Sequence, residues 1–261
     1  MIETIGSPGA PLRFDASDQA RLGLIVLSTD LTSERDYARH LAGTGIAIFV
    51  NRIAFANPVT PENLRAMQPL LGRAAERILP GETLDAIAFS CTSASVLIGD
   101  EAVEAAIHAG GRASPVITPP RAAIGALEAL GARQISMLTP YGASVGRAMA
   151  AYFERHGCLV DRLTALDIAD DGAMARLSHA SLVDAACRAV SPQAEALFIS
   201  CTALRAVDVV DVIEQAIGRP VVTSNQAGFW AVMKACGVLE APLAVGRLMR
   251  DLTAQGTDGK G

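Results

Sequence analysis

Two segments of this chain repeat one pattern around a cysteine. The first reads Asp85-Ala-Ile-Ala-Phe-Ser-Cys91-Thr-Ser-Ala, and the second, 110 residues later, reads Glu195-Ala-Leu-Phe-Ile-Ser-Cys201-Thr-Ala-Leu. In each segment an acidic residue opens a short apolar run, the run ends in Ser-Cys-Thr, and a helical pattern follows. A short apolar run with such boundaries is typical of a buried strand. The chain is therefore predicted to contain two copies of one strand–cysteine–helix unit.

The other predicted strands continue this repeat. Short apolar runs alternate with helical patterns along the chain, which is the order expected of parallel α/β sheets. The predicted strands form two sets of four, at residues 22–27, 45–50, 85–90 and 115–118 and then at 134–139, 158–163, 195–200 and 220–223. The last strands of the two sets, Pro115-Val-Ile-Thr118 and Pro220-Val-Val-Thr223, also match each other.

We predict an α/β protein of two similar halves, each a four-stranded parallel sheet flanked by helices. The halves are related by a pseudo-twofold axis, with the active site between them. The first half is expected to comprise residues 1–120 together with 228–261, and the second half residues 121–227. Besides the helices that follow the two cysteine strands, the first half is predicted to have helices over residues 33–41 and over 61–79, with Thr60 as N-cap of the latter. A further helix is predicted from the fourth strand to about residue 130. The segments 143–156 and 226–236 are predicted to be helical, and 173–190 largely helical.

Charge and hydropathy narrow the function classes. The 261 residues are 51% hydrophobic and carry a formal net charge of −5, which argues against a nucleic-acid partner because such proteins need a basic face. No apolar run reaches the roughly 18 residues of a membrane span, and the start of the chain lacks the features of a signal peptide. We expect a cytoplasmic protein with no membrane partner that acts on a small carboxylate or amino acid. A homo-oligomer is also expected.

The five cysteines are too scattered for a disulfide framework or a zinc site. Their number is odd, the sequence contains no CxxC pair, and none of the four histidines lies near a cysteine motif. Cys158, Cys187 and Cys236 are expected to be ordinary small residues without a chemical role. We predict no metal and no organic cofactor.

The paired cysteine motifs are predicted to form a binding site. Ligands of parallel sheets bind beyond the carboxyl ends of the strands, where Cys91 and Cys201 fall, each just before a predicted helix. A helix N-terminus at this point is expected to favour an anion and to lower a thiol pKa from about 8.5. Thr92, Ser93 and Thr202 offer hydroxyl and backbone N–H groups to a substrate carboxylate.

The same pair suggests acid–base chemistry at carbon. If the halves face each other, one thiol reaches each side of the ligand. A thiolate can then remove a proton from one face of a carbon, and a thiol can return one to the opposite face. The alternative is two ordinary buried cysteines at strand ends.

At these motifs the chain resembles the aspartate/glutamate racemase superfamily, over about residues 20–250. Within it, the resemblance is to the branch of maleate isomerase and a related ectoine-utilisation protein. Besides the Cys-Thr motifs, it rests on Gly23-Leu-Ile-Val-Leu-Ser-Thr-Asp30, Leu138-Thr-Pro-Tyr141 and Thr223-Ser-Asn-Gln226. The resemblance implies two similar α/β halves with the active site between them.

The resemblance also implies roles for individual residues. In a maleate isomerase, the residue matching Cys91 adds to the substrate double bond and the residue matching Cys201 handles a proton. The residues matching Tyr141 and Asn225 help to hold the substrate. From the residues alone two alternatives stay open, because Tyr141 can be a turn residue and Asn225 a helix N-cap.

Two aspartates depart from the pattern of the maleate isomerases. This chain has Asp30 after the first strand and Asp171 in Ala169-Asp170-Asp171. The resemblance implies an asparagine in maleate isomerases at each of these two positions. An asparagine can donate to a carboxylate, whereas an ionised aspartate repels one. If both reach the site, a substrate with an ammonium group is favoured over a dicarboxylate. The alternative is that Asp30 caps the next helix and that Asp170 and Asp171 lie in a solvated turn.

Three functions follow as hypotheses. The first is a cofactor-independent racemase or epimerase that uses Cys91 and Cys201 on an amino acid or derivative, with a diaminobutyrate derivative of ectoine breakdown as one candidate. The second is maleate-type cis–trans isomerisation through a covalent Cys91 adduct. The third is a non-catalytic small-molecule binding protein. Decarboxylation is disfavoured, because a decarboxylase of this superfamily works with one of the two cysteines and this chain has both.

Overall fold

The fold contains two parallel sheets of four strands each. The computed structural model describes residues 19–258. The strands of the first sheet are β1 (Ala20–Leu27), β2 (Ile46–Ile53), β3 (Ala86–Phe89) and β4 (Val116–Ile117). Those of the second are β5 (Gln134–Thr139), β6 (Leu159–Ala165), β7 (Ala196–Ile199) and β8 (Val221–Thr223). The spatial order is β2-β1-β3-β4 in one sheet and β6-β5-β7-β8 in the other, and all neighbours are parallel. The predicted fold is confirmed.

Helices connect and cover these strands. Within residues 19–258 they are α1 (Ser33–His40), α2 (Pro61–Arg65), α3 (Leu71–Glu76), α4 (Thr92–Ile98), α5 (Asp100–His108), α6 (Pro119–Ala129), α7 (Ala143–Arg155), α8 (Asp171–Ala175), α9 (His179–Ala189), α10 (Val210–Ile217), α11 (Ser224–Ala235) and α12 (Gly246–Asp258). Short 3-10 helices lie at Gln68–Leu70 and Val207–Val209.

The strands that lead to the two cysteines are completely buried. All four residues of β3 and all four of β7 are inaccessible to solvent or nearly so. Each of these strands lies inside its sheet, between two neighbours, so its residues are apolar on both faces. This explains why the sequence shows unbroken apolar runs there, and why the chain that follows each run emerges in the interior of the molecule.

The two halves repeat individual contacts as well as strand order. Asp85 Oδ2, at the start of β3, accepts the backbone N–H of Arg21 in β1 at 2.7 Å. Glu195 Oε2, at the start of β7, accepts the backbone N–H groups of Arg133 and Gln134 at 2.6 and 2.9 Å. In each half the acidic residue of the repeated motif therefore fixes the neighbouring strand through a charge-assisted hydrogen bond.

Two predicted helices are divided in the structure. The prediction of one helix over residues 61–79 is wrong, because Pro69 lacks an N–H and its ring clashes with the preceding turn. Residues 173–190 are largely helical as predicted, but they are divided between α8 and α9 because Ser178 caps a new helix and its hydroxyl accepts the N–H of Ser181 at 3.1 Å. The predicted N-cap Thr60 is confirmed by the bond that its side chain accepts from the N–H of Asn63.

Helices α6 and α11, which follow the last strand of each sheet, pack against each other and join the halves. Helix α1 also contacts α11, and α12 contacts β8 and α10 of the second sheet. The predicted division of the chain after residues 120 and 227 stays a prediction.

Residues 1–18 and 259–261 lie outside the described residues, and with them the segment on which the signal-peptide expectation rests. Of the described helices, none is long and apolar enough to cross a membrane.

Candidate active site

The two predicted catalytic cysteines lie at the carboxyl ends of inner strands, one in each half. Cys91 follows β3 and Cys201 follows β7. Each residue is only 4% exposed, and the two sulfurs interact electrostatically with each other. Tyr141, which follows β5, is also buried and interacts with both sulfurs. The structure therefore brings Cys91, Cys201 and Tyr141 together at one buried site formed by both halves.

Two hydroxyl groups connect the thiols. Cys91 Sγ lies 3.8 Å from the hydroxyl of Ser93. The Tyr141 hydroxyl interacts with both Ser93 and Cys201. Ser93 and Tyr141 therefore lie between the two thiols in a series of polar neighbours.

The turns that hold the two cysteines differ, although their sequences match. Cys91 has an extended backbone with a φ of −151°, and α4 begins at the next residue. Cys201 has a φ of +102°, which L-residues rarely adopt. Its sulfur accepts the backbone N–H of Ala203 at 3.3 Å. The strained turn of Cys201 therefore aims a backbone donor at the sulfur.

The prediction of a helix directly after Cys201 is wrong. Within the described segment 201–206 no helix forms, and the first helical turn begins at Val207. The carbonyl groups that would start a helix are bound by side chains from other elements: Asn225 Nδ2 donates to the Thr202 carbonyl at 2.9 Å, and the Thr32 hydroxyl donates to the Ala203 carbonyl at 2.7 Å. Side chains from both halves therefore hold this turn open.

Burial governs the protonation of the thiols. Desolvation raises the pKa of Cys91 to about 12, although the Ala94 backbone N–H and the Ser93 hydroxyl act in the opposite direction. Desolvation also raises the pKa of Cys201, and the Asp171 carboxylate raises it further. The expectation that a helix N-terminus lowers the thiol pKa is therefore wrong for the closed site, because the loss of hydration outweighs it.

Asp171 is buried and interacts electrostatically with both thiols. It is 6% exposed, and its Oδ2 accepts the Thr29 hydroxyl at 2.7 Å. Burial raises the pKa of Asp171, and its charge raises the pKa of both Cys91 and Cys201. The solvated-turn alternative describes only its neighbour Asp170, an exposed residue that caps α8 by accepting the N–H of Ala173 at 2.7 Å.

Asp30 binds the start of α1, as one interpretation from the sequence expected, and its contact with a substrate stays a prediction. Its Oδ1 accepts the N–H groups of Thr32 and Ser33 at 2.9 and 2.8 Å, at the start of α1. It is also buried, and its charge raises the pKa of Cys91. Burial raises the pKa of Asp30 itself, while the Ser33 hydroxyl lowers it. Asp30 is thus a capping residue within electrostatic reach of the site.

The threonines of the two motifs join the halves. The Thr92 hydroxyl donates to the Ser224 hydroxyl at 2.8 Å, and the Thr202 hydroxyl donates to the Ser90 carbonyl at 3.2 Å. Ser224 also accepts the backbone N–H of Cys201 at 3.0 Å. The Thr92 and Thr202 hydroxyl hydrogens are therefore used within the protein. Ser224 was missed by the sequence reasoning, although it stands in the quoted Thr-Ser-Asn-Gln segment.

Asn225 is buried at the start of α11 but does not cap it. The N-cap is Thr223, which forms a capping box with Gln226, so the N-cap alternative for Asn225 is wrong. Asn225 Nδ2 donates to Asp36 Oδ2 and to the Thr202 carbonyl, both at 2.9 Å. No sequence signal pointed to Asp36, because an aspartate in the first turns of a helix is usually a solvated residue.

Two segments from opposite halves contact each other near the thiols. Asn57, from the first half, donates its Nδ2 to Asp170 Oδ2 at 2.8 Å and accepts the backbone N–H of Asp171 at 3.0 Å. The Val59 N–H donates to the Ala169 carbonyl at 2.9 Å. Met174 of α8 places its sulfur 3.8 Å from that of Cys201. Among the described residues, no group of three or more His, Cys, Asp or Glu side chains is arranged to hold a metal ion.

The sequence pattern of the arylmalonate decarboxylase family matches residues 59–249. The chain belongs to the arylmalonate decarboxylase family. The matched region contains Cys91, Tyr141, Asp171, Cys201 and Asn225, whereas Asp30 precedes it.

Named relatives in and around this family include a decarboxylase and isomerases. The arylmalonate decarboxylase of Bordetella bronchiseptica is 35% identical over 137 residues, which are 51% of this chain and 57% of that protein. The maleate isomerase of Nocardia farcinica is 27% identical over 248 residues, which are 90% of this chain and 97% of that protein. A solved structure shows a mutant Nocardia farcinica maleate cis–trans isomerase with a covalently bound succinylcysteine intermediate. Its sequence is 25% identical to this chain, and the two structures superpose with a TM-score of 0.80 over 89% of this chain and 98% of that one.

These relatives share the two-half fold and are enzymes, so the chain belongs to a family of enzymes. In the isomerase mutant a cysteine carries the intermediate. The predicted resemblance to the racemase-like and maleate isomerase fold is thereby confirmed at the level of this family.

Proposed function

We propose that this chain is a cofactor-independent isomerase that inverts a carbon next to a carboxylate, with Cys91 and Cys201 as its acid–base pair. The observation that carries the proposal is the meeting of two thiols from opposite halves in one buried site, linked through Ser93 and Tyr141. Inversion needs a base on one face of the carbon and an acid on the other. Two thiols in similar surroundings can exchange these roles in the reverse direction.

The proposed reaction has two proton transfers. The thiolate of one cysteine takes the α-proton, and the electron pair of the broken C–H bond remains on the α-carbon and its carboxylate. The thiol of the other cysteine then gives its proton to the opposite face, which yields the inverted product and a new thiolate. The backbone N–H groups of Ala94 and Ala203 and the Tyr141 hydroxyl stabilise the anionic sulfurs.

We propose further that the substrate carries an ammonium group. The largest electrostatic effects on the pKa values of Cys91, Cys201 and Asp171 come from acidic groups. A second substrate carboxylate would add to this repulsion, whereas an ammonium group near Asp171 would reduce it. By the same electrostatics, a bound cation would lower the thiol pKa and so help to form the thiolate that the reaction needs.

A substrate panel tests the proposal. Amino acids, N-acetyl diamino acids, maleate and an arylmalonate would be incubated with the protein in heavy water and followed by proton NMR and chiral chromatography. The proposal predicts deuterium at the α-carbon and racemisation for at least one amine-bearing compound. N-acetyl diamino acids are included because a role in ectoine breakdown is part of the proposal. Loss of carboxylate from the arylmalonate without racemisation of any amino acid would overturn it in favour of decarboxylation.

A second candidate is maleate-type cis–trans isomerisation. It is favoured by the match to the Nocardia farcinica maleate isomerase over 90% of this chain and by the succinylcysteine intermediate in a mutant of that enzyme. In this chain the nucleophile would be Cys91. Formation of fumarate from maleate, together with a mass increase on the peptide that contains Cys91, would decide for this candidate.

A further inference from the structure

The amide of Asn225 has an unusual set of partners. Asn225 is 2% exposed, and its Nδ2 uses both hydrogens, one toward Asp36 Oδ2 and one toward the Thr202 carbonyl. Its Oδ1 is buried and has no hydrogen-bond partner among the described residues. Leaving a buried acceptor unpaired costs on the order of 1–3 kcal/mol. The unpaired oxygen belongs to a side chain that binds the Thr202 carbonyl, next in sequence to Cys201, and is therefore a candidate contact for a ligand.

Asp36 and the Thr202 carbonyl together determine which atom of this amide is left without a partner. A carboxylate and a carbonyl can only accept hydrogen bonds, so both require Nδ2 and exclude the flipped amide. Asp36 is itself 1% exposed and held from the other side by Arg35, whose Nε and Nη2 lie 3.1 and 2.7 Å from its Oδ1. Arg35 also pairs with Asp208 at 2.8 Å, so the buried Asp36–Asn225 pair is connected to an ion pair at the surface.

We infer that Asp36 is a specificity-determining positioning residue, which locks the Asn225 amide so that it presents an acceptor to the substrate. The ligand group that meets Asn225 Oδ1 is therefore a hydrogen-bond donor, either an ammonium group or an amide N–H, and not a carboxylate. This inference rests on the proposed function. It restricts the substrates to those that carry a hydrogen-bond donor where they meet Asn225. It is independent of Asp171, which contacts Thr29 and not Asn225.

Binding of matched ligand pairs tests the inference. Each pair consists of an amino acid and its analogue without the amino group, such as aspartate with succinate and glutamate with glutarate. Dissociation constants would be measured by calorimetry for the wild type, Asp36→Asn and Asp208→Asn. Asp208→Asn is the matched control, because it removes the other carboxylate that pairs with Arg35 and leaves the Asp36–Asn225 bond in place.

The expected result is a preference for the amine-bearing member in the wild type and in Asp208→Asn. In Asp36→Asn this preference should fall about tenfold, since the new side chain can present a donor in place of an acceptor and leaves only the Thr202 carbonyl to hold the Asn225 amide. If no amine-bearing ligand binds more tightly than its analogue, or if both variants change the preference alike, the inference is wrong. Should Asp36→Asn fail to fold, a structure of the wild type with its amine-bearing ligand decides: the inference requires a ligand nitrogen within about 3.2 Å of Asn225 Oδ1, and a ligand carboxylate there would overturn it.

These outcomes separate the inference from the proposed function. Amine-selective binding without proton exchange would leave the role of Asp36 intact and remove the isomerase. Proton exchange on a substrate that has no donor group would do the reverse.

Discussion

At the scale of single residues, the acidic side chains around the thiols control their reactivity. Asp171 raises the pKa of both Cys91 and Cys201 after burial has already done so. A protein that buries two thiols next to a carboxylate keeps them protonated until a ligand supplies a positive charge. The carboxylate is thus as important to the proposed chemistry as the thiols.

We predict that Asp171→Asn makes Cys91 react faster with iodoacetamide. Removing the negative charge lowers the thiol pKa, and below its pKa each unit gives about ten times more thiolate. In the wild type, with a Cys91 pKa of about 12, the rate should rise continuously between pH 7 and pH 10. The rate would be measured by mass spectrometry of the peptide that contains Cys91.

The control is Asp184→Asn. Asp184 is an exposed carboxylate of α9 that pairs with Arg188 and takes no part in the contacts near the thiols. This variant should react like the wild type. Equal acceleration in both variants, or none in Asp171→Asn, would show that Asp171 does not set the thiol pKa.

The strained backbone of Cys201 gives a second prediction. At a φ of +102°, glycine avoids the steric penalty of a side chain, so Cys201→Gly should be more stable than Cys201→Ala by about 1 kcal/mol. At Cys91, where φ is −151°, the order should reverse, because glycine loses more entropy on folding. Urea unfolding of the four variants measures both differences. The same order at both cysteines would contradict the backbone asymmetry.

At the scale of elements, the turn after β7 is organised by side chains from α11. The hydroxyl of Ser224 accepts from both the Cys201 N–H and the Thr92 hydroxyl, and so connects the cysteine motifs of the two halves. The Ser224 hydroxyl thus satisfies a backbone N–H in a turn where no helix forms.

We therefore predict that Ser224→Ala lowers the free energy of unfolding by about 2 kcal/mol, because it leaves two buried donors unpaired. The control is Ser200→Ala. The Ser200 hydroxyl is buried without a partner among the described residues, so its removal should be neutral or slightly stabilising. Both values follow from urea titrations. A Ser200→Ala variant as unstable as Ser224→Ala would show that general packing, and not the hydrogen bonds, is responsible.

The strands were predictable from the sequence because buried parallel strands appear as short apolar runs; the run at 134–139, for example, coincides with β5. The division of the helix over residues 61–79 is also predictable from the sequence, because Pro69 in its middle breaks a helix. The open turn after Cys201 could not, because its cause is distant along the chain: Thr32 and Asn225 bind its carbonyls. For the same reason the thiols and Tyr141 were found from local motifs, whereas Asp36 and Ser224 were not.

At the scale of the whole molecule, the site is built from residues of both halves. Both thiols are buried, and the bonds of Asn57 to Asp170 and Asp171 run from one half to the other. We expect that a substrate opens these contacts to enter.

We predict that Asn57→Ala increases the rate of Cys91 alkylation several-fold. The rate of amide hydrogen exchange at Val59 should rise as well, while the urea midpoint changes little. Asn63→Ala is the control, since Asn63 donates within the same segment to the Pro58 carbonyl and not across the halves. Unchanged alkylation in Asn57→Ala, or equal acceleration in Asn63→Ala, would mean that access to the thiols depends on another contact.

Heavy-water exchange in single-cysteine variants tests the central claim most directly. The reactive amine-bearing substrate would be incubated in heavy water with the wild type, Cys91→Ser, Cys201→Ser, the double variant and Cys187→Ser, which alters an exposed cysteine outside the site. The two-thiol account predicts deuterium at the α-carbon with the wild type and Cys187→Ser and none with the other three. Full exchange and inversion by the variant that lacks both Cys91 and Cys201 would contradict it.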